Sequence, residues 1–170
     1  MIDLLRLFTD IALLRRGPQD LPASPLVLAL TIVGFFGVQL VVGTVLPPIA
    51  NHWLGNLLLE VAFTFCWYAV LLYAVKKPER FLQTSTAVFG FQIVLSPVLI
   101  TALWLQRRFE QDSIGAFGVT FVSLALLIWL IAANSQIVKA ALEWTLAPSV
   151  ALVILQNLAG ELLVLSLFHS

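Results

Sequence analysis

Charge is scarce in this sequence, and its scarcity excludes several classes of protein. Only 11% of the 170 residues are charged, and nine acidic side chains balance nine basic ones. Soluble domains carry roughly 25% charged residues, so this chain has too little charge to cover a globular surface in water. Nucleic acid is bound by clustered Lys and Arg. Because the sequence has no basic excess, we expect no nucleic-acid partner.

Reactive side chains are scarce as well. The single cysteine, Cys66, leaves no internal disulfide and no Cys-x-x-Cys metal site. The two histidines are His52 and His169. The sequence has no Gly-rich phosphate loop, no His-Glu-x-x-His and no Gly-x-Ser-x-Gly motif. We therefore predict that the protein is not an enzyme and that it uses neither a metal ion nor a cofactor.

Apolar residues are abundant: 61% of the chain is hydrophobic and the mean hydropathy is +1.02. A helix crosses the hydrocarbon core of a bilayer with about 20 apolar residues. Windows of that length cover residues 25–46, 53–75, 84–105, 114–137 and 148–168. The predicted fold class is an all-α integral membrane protein in which residues 25–170 form a five-helix transmembrane bundle. Short loops should make sequential helices antiparallel neighbours, and Pro25, Pro78 and Pro148 are placed to begin helices.

Residues 1–24 are predicted to form an interfacial amphipathic helix followed by a Pro-rich elbow. Asp3, Arg6 and Asp10 share one helical face, and large apolar side chains cover the opposite one. These charges interrupt the apolar run and no small-residue cleavage site follows closely, so we do not expect a signal peptide. Two placements stay open for this helix: free among the lipid headgroups, or packed against the protein's own bundle.

The elbow reads RRGPQDLPAS over residues 15–24. Gly17 is predicted to end the amphipathic helix in a left-handed conformation, and the prolines that follow prevent its continuation. Arg15 and Arg16 would then face both the last carbonyls of the helix and the anionic inner leaflet. Asp20 is expected to form a turn, although a binding role stays open.

The distribution of basic residues predicts the orientation, because cytoplasmic loops are enriched in Lys and Arg. With the N-terminus inside, the cytoplasmic side carries Arg6, Arg15, Arg16, Lys76, Lys77, Arg80 and Lys139. The other side carries only Arg107 and Arg108. We predict a cytoplasmic N-terminus, with the C-terminus on the opposite side. Trp144 would mark the inner interface, and Trp129 falls mid-membrane as a packing residue.

Two carboxylates inside the apolar windows are the most informative polar groups. Glu60 and Glu161 each lie about 10 Å below the outer surface, at a rise of roughly 1.5 Å per residue. Each follows an asparagine by one helical turn, Asn56 and Asn157, so each pair shares a helix face. Ionisable groups at this depth generally face the bundle interior and take partners.

Three hypotheses stay open for these carboxylates. They could share a proton on a proton or cation pathway. They could form structural hydrogen bonds between helices, with acceptors and donors such as Gln92, Ser96 and Thr64. Either could also be the docking point of a partner helix. Transporters usually show internal repeats and broken helices, and only Ser96-Pro97 resembles a break, which argues against transport.

Small residues predict where helices approach closely. Thr86 and Gly90 have small-xxx-small spacing, and Gly34 and Gly37 offer a second close-packing face, either within one bundle or between copies. The polar run at residues 134–136 is predicted to mark the point where the fourth spanning helix leaves the membrane.

Five membrane helices, a cytoplasmic N-terminus, short loops and an Asp-Leu-Pro element resemble the bacterial branch of the Yip family. Asp20-Leu21-Pro22 is similar to that family's Asp-Leu-x-Gly-Pro element, and Gly90-Phe91 with Pro97 is similar to its Gly-Tyr followed by proline. The resemblance implies a small bacterial inner-membrane protein. Rab binding, which eukaryotic members show, is not implied, because their longer cytoplasmic region is here one amphipathic helix.

From these features we predict a non-enzymatic membrane protein that acts through helix–helix contacts. Its partners would be the lipid bilayer and either copies of itself or other membrane proteins, for which it would serve as an accessory or assembly subunit. The alternative is a small proton or cation channel or transporter that uses Glu60 and Glu161.

Overall fold

The computed structural model describes residues 2–45, 53–109 and 113–168, and their regular structure is helical throughout. The six α-helices are α1 (Ile2–Ala12), α2 (Pro25–Val45), α3 (Trp53–Ala74), α4 (Phe81–Arg108), α5 (Ser113–Leu142) and α6 (Leu146–Phe168). Short 3-10 helices at Pro18–Asp20 and Pro78–Arg80 precede α2 and α4. Helices α2 to α6 are each long and apolar enough to cross a membrane. The prediction of five such helices is confirmed; residue 46, His52 and His169 lie outside the described residues.

Two helices are longer than the apolar windows indicated. Helix α4 has 28 residues and α5 has 30. Helix α5 continues through the polar run at residues 134–136 to Leu142, and within it Ser135 is fully buried and donates to the carbonyl oxygen of Ile131 at 2.6 Å. Helix α6 begins at Leu146 rather than at Pro148, and its first turn accommodates the proline because the N–H groups there need no intrahelical partner.

Helix α4 is the centre of the bundle and contacts α1, α2, α3 and α5, while α6 packs on α5 and α3. Sequential helices are neighbours at α4–α5 and α5–α6, as expected. Helix α2 differs, because it lies mainly against α4 rather than against α3. At that contact, a Cβ atom on Gly34 would lie 3.3 Å from the Cδ1 of Ile93. The largest buried cluster joins α1, α3, α4, α5 and α6.

Large apolar side chains cover the outside of the bundle. Phe117 is 78% exposed, Val33 69% and Leu162 67%. Soluble monomers rarely expose apolar patches beyond a few hundred Å². The outer surfaces of α2, α5 and α6 are therefore consistent with an integral membrane protein.

Helix α1 is packed against the protein's own bundle, which decides between its two expected placements. Phe8 and Ile11 are buried against α4 and α5. Phe8 lies so close to Gly90 that a Cβ atom there would be 2.2 Å from the Cε1 of the ring. The indole nitrogen of Trp129 donates to the Ala12 carbonyl oxygen at 2.8 Å. An apolar contact and a hydrogen bond thus fix α1 to both long helices.

The prediction that Gly17 ends α1 in a left-handed conformation is wrong. Leu14 has the positive φ, 61°, and Gly17 is extended with φ −120° and ψ 173°. The Arg15 N–H donates to the Asp10 carbonyl oxygen at 2.8 Å, closing the helix end. Asp20 has the turn-forming role that we expected, because its carboxylate accepts the Gly17 N–H at 3.1 Å.

We call the end of the bundle that carries residues 13–24, the 3-10 helix at Pro78–Arg80 and the α5–α6 connection the elbow end, and the opposite end the far end. At the elbow end, Arg80 donates to the Ala140 carbonyl oxygen at 2.9 Å and forms an ion pair with Glu143. Lys77 also pairs with Glu143. Gln83 donates to the Leu21 carbonyl oxygen at 2.7 Å. These contacts tie the two loops and the elbow into one surface.

Candidate functional site

Glu60 and Glu161 line the same cavity, although they stand on α3 and α6. The cavity has a volume of about 220 Å³ and lies between α3, α4, α5 and α6. Asn56 and Asn157 line it as well, because each stands one helical turn before its glutamate on the same face. All four residues that the sequence singled out are therefore brought together.

Helix α3 approaches α6 closely at this cavity. A Cβ atom on Gly160 would lie 3.5 Å from the Cε1 of Phe63, which is ordinary van der Waals contact. A larger side chain at Gly160 would extend into α3. Residue counting along α3 and α6 puts both carboxylates at one level, about 10 Å from the far end at roughly 1.5 Å per residue.

Half of the side chains that line the cavity are polar. In addition to the two glutamates and two asparagines, they are Thr64, Gln92, Asn134 and Gln156. Thr64 and Gln92 were proposed from the sequence as partners of the carboxylates, whereas Ser96 instead donates to the Gln92 carbonyl oxygen at 2.6 Å. Asn134 and Gln156 were missed. The polar run at residues 134–136 was visible, but it was interpreted as the point where the helix leaves the membrane rather than as part of a cavity.

Hydrogen bonding leaves the cavity rich in acceptors. The side-chain N–H groups of Asn157 and Asn134 donate within their own helices, at 2.7 Å to Val153 and 3.2 Å to Leu130. The side-chain oxygens of Asn56 and Gln92 are buried and find no hydrogen-bond donor among the described residues. Buried polar groups are normally satisfied, so these oxygens and the two carboxylates together favour a guest that donates.

The ion-paired cations are at the other end of the molecule, whereas Arg108, where α4 ends at the far end, stacks on Trp104. The ion pairs that the described residues form are Arg16–Asp10, Lys77–Glu143 and Arg80–Glu143, all at the elbow end. No Lys or Arg is among the residues that line the cavity. Glu60 and Glu161 are exposed at the surface of the isolated chain. The cavity therefore presents uncompensated acidic groups to whatever lies beside the bundle.

The cavity closes toward the elbow end. Val88 and Val153 line it and belong to the main buried cluster. Beyond them lie Tyr68, Leu72 and Ile137, each at most 2% exposed. This tightly packed layer, in which the Tyr68 hydroxyl is hydrogen-bonded to Gln156 of the cavity wall, separates the carboxylates from the elbow end, so in this conformation the cavity is a pocket that opens at one side.

The other residues singled out from the sequence lie away from the acidic cavity. Thr86 is fully buried and donates to the Leu82 carbonyl oxygen at 2.7 Å, and Gly90 receives Phe8. Gly34 packs on Ile93, whereas a Cβ atom on Gly37 would meet nothing within 4 Å among the described residues, which leaves contact between copies as the open alternative for Gly37. Arg15, Arg16 and Asp20 line a second cavity, at the elbow end.

In the described part of the chain, no group of three or more His, Cys, Asp or Glu is arranged to hold a metal ion.

Comparison with protein-family models, curated proteins and solved structures found no match to this chain. The function is therefore argued from the chain's own residues.

Proposed function

We propose that this chain is a small, non-enzymatic integral membrane protein that acts through helix contacts, and that its acidic cavity receives a cationic group from a membrane partner. The partner is either another copy of the chain or a larger complex in which this chain is an accessory subunit. The observation that carries the proposal is the meeting of Glu60 and Glu161 in one acceptor-rich cavity, to whose wall the described residues contribute no Lys or Arg.

A membrane favours a partner for these carboxylates, although the cost of burying them is lower near its surface than at its centre. A carboxylate at the centre of a bilayer costs about 2.5 to 3.5 kcal/mol on insertion scales, and such groups usually pair with one another or with a cation. A Lys or Arg side chain from a neighbouring helix would supply both the charge and the donors that Asn56 and Gln92 lack. The exposed apolar surface of α6 surrounds the cavity mouth and would pack against that helix.

The orientation and membrane proposed here follow from the sequence. The basic residues of the elbow end favour the cytoplasm, which places the cavity mouth nearer the outer side of a bacterial inner membrane. The resemblance to the Yip family, which implies the same membrane, stays a prediction.

A co-purification experiment tests the proposal. The tagged full chain is extracted in mild detergent, and native mass spectrometry identifies the species that remain bound. We expect a second copy or a partner with the unmodified chain and its loss when Glu60→Gln and Glu161→Gln are combined. Glu79→Gln, the same chemical change at the elbow end, is the matched control and should retain the partner. A monomer without partners in the unmodified sample would contradict the proposal.

A second candidate, proton or cation translocation, is favoured by one observation: two carboxylates stand at one level in a single cavity. The dense packing of Tyr68, Leu72 and Ile137 argues against an open path. Liposomes that contain the chain and a pH-sensitive dye decide the matter. Proton uptake that Glu60→Gln abolishes without loss of folding would support translocation, whereas uptake equal to that of empty liposomes would exclude it.

A further inference from the structure

A second cavity, separate from the acidic one, lies at the elbow end between the elbow and the last turns of α5. Its volume is about 460 Å³. The cationic side chains that line it are Arg15 and Arg16 from the elbow and Lys139 from α5. Gln19, Gln136 and Trp144 add hydrogen-bond donors. Ligand cavities typically measure about 300 to 1,000 Å³, so the space is adequate for a small polar headgroup.

Two of the three cations are free to bind an anion. Arg16 pairs with Asp10 at 3.4 Å. Within the described ranges, neither Arg15 nor Lys139 has a carboxylate within ion-pair distance.

The two acidic residues that line the cavity are already engaged. Asp20 accepts the Gly17 N–H at 3.1 Å, and Glu143 is held by Lys77 and Arg80. Counting the ion-pair partners of the lining residues, the five cations Arg15, Arg16, Lys77, Arg80 and Lys139 outnumber the three carboxylates Asp10, Asp20 and Glu143, so the net charge around the cavity is positive.

The backbone that carries Arg15 is held in place by the surrounding fold rather than displayed on a loose tail. Leu14, directly before Arg15, has the positive φ that closes α1, and Trp129 holds the Ala12 carbonyl. Gln83 anchors the elbow at Leu21. A cationic residue whose backbone is already fixed loses less conformational entropy when it binds an anion.

Apolar side chains stand beside the cations. Leu14 is 44% exposed and Trp144 39% exposed, and both line the cavity; Leu13 and Leu146 are exposed next to them in sequence. A soluble phosphate would use none of this surface. A phospholipid would use the cations and the apolar surface together, because its headgroup would contact the cations while its glycerol and first methylenes would contact Leu14 and Trp144. Tryptophan also favours the level of the headgroups in a membrane.

We propose that this cavity binds the phosphate of an anionic phospholipid headgroup, with Arg15 and Lys139 as its charged ligands. Basic pockets between membrane helices recognise anionic lipids through these interactions. The elbow then fixes one lipid against α1 and α5.

Native mass spectrometry of the full chain in detergent tests the proposal. Delipidated protein is offered phosphatidylglycerol or phosphatidylcholine with matched acyl chains. We expect phosphatidylglycerol to be retained preferentially, and we expect Arg15→Gln and Lys139→Gln each to lower that preference roughly five-fold, since each basic residue near an anionic headgroup contributes about that factor. Arg6→Gln, on the exposed face of α1, should leave it unchanged.

Three outcomes would overturn the proposal: no preference between the two lipids, a preference that the combined Arg15 and Lys139 variant keeps, or equal loss with Arg6→Gln. Inorganic phosphate alone could instead stabilise the protein in a way that depends on Arg15 and Lys139, with no preference between the lipids. That result would assign the cavity to soluble phosphate and would also overturn the lipid proposal. Lys139→Arg keeps the charge and should keep the preference, which separates binding from folding. Unchanged far-ultraviolet circular dichroism verifies that each variant is folded.

Discussion

The contact between Gly90 and Phe8 gives the sharpest test of how α1 is held on the bundle. In Gly90→Ala, the new Cβ would lie 2.2, 2.4 and 2.5 Å from three atoms of the Phe8 ring. Carbon atoms pack at about 3.5 to 4.0 Å, so the ring must move by about 1 Å or more. Phe8 is only 2% exposed, and its surroundings leave little room for that movement.

The expected magnitude comes from two opposing effects. Overpacking costs about 1 to 3 kcal/mol, while replacing glycine by alanine in a helix gains up to about 1 kcal/mol. Subtracting this gain from the cost, we expect Gly90→Ala to lose up to about 2 kcal/mol of stability. Gly118→Ala in α5 is the matched control, because a Cβ atom there meets nothing within 4 Å and only the helix-forming gain should remain.

The stability of both variants is measured by thermal unfolding in mild detergent, monitored by circular dichroism. Trypsin cleavage after Arg15 and Arg16 reports whether α1 is released from the bundle. Phe8→Leu in the Gly90→Ala background should recover part of the loss, and the double-mutant cycle gives the coupling directly. If Gly90→Ala melts at or above Gly118→Ala and the elbow stays resistant to trypsin, the packing of α1 on α4 is incorrect.

Two further perturbations probe the elbow end. Lys77 and Arg80, through hydrogen bonds and charge, hold the pKa of the Glu143 carboxyl below its ordinary value of 4.5. The contribution of these ion pairs to stability should be complete above pH 4.5 and should be lost as the pH falls through the lowered pKa of Glu143. The melting temperature of the unmodified chain should therefore drop in that acidic range, and the melting temperature of Glu143→Gln should drop less. Trp129→Phe removes the N–H bound to the Ala12 carbonyl and should cost about 1 to 3 kcal/mol, with faster hydrogen exchange in α1.

Each of these two predictions has a control at a comparable position. Glu79→Gln removes a carboxylate from the same end of the bundle and should leave the acid-induced drop as it is in the unmodified chain. Trp104→Phe changes a tryptophan that stacks with Arg108, 5.6 Å from its ring centre, and should leave exchange in α1 unchanged. Equal effects of variant and control would remove the specific role assigned to Glu143 or Trp129.

Local sequence rules predicted the helices and the face of each polar pair. The apolar windows identified five helices, because length and composition alone decide whether a helix can cross a membrane. Helical geometry put Asn56 with Glu60 and Asn157 with Glu161, because residues four apart are neighbours on one face. Both rules use only nearby residues, and both agree with the structure.

Tertiary contacts decided the features that sequence reasoning missed. Leu14 rather than Gly17 takes the left-handed conformation, since the hydrogen bond from Trp129 to Ala12 and the burial of Ile11 set where α1 must stop. The length of α5 depended on whether Ser135 faces water or the core, which its polarity alone does not reveal.

To predict the two cavities, one would need to know which helices contact one another. The equal depth of Glu60 and Glu161 followed from the sequence, but the contact of α3 with α6 that joins them did not. Arg15 and Lys139 are far apart along the chain, and no local pattern relates them. They come together because α1 packs on α4 and α5, which depends on the space that Gly90 leaves for Phe8.

The central claim, that the acidic cavity receives a cation from a membrane partner, is tested most directly by photocrosslinking from the cavity wall in intact cells. A photoreactive residue replaces Leu163, which lines the cavity, and Leu30, exposed on α2, serves as the control position. The account predicts a cross-linked peptide from Leu163 that contains a Lys or Arg within an apolar segment, and its loss when Glu60→Gln and Glu161→Gln are combined. Cross-links to lipid alone, or equal yields of the same peptide from Leu30, would contradict it.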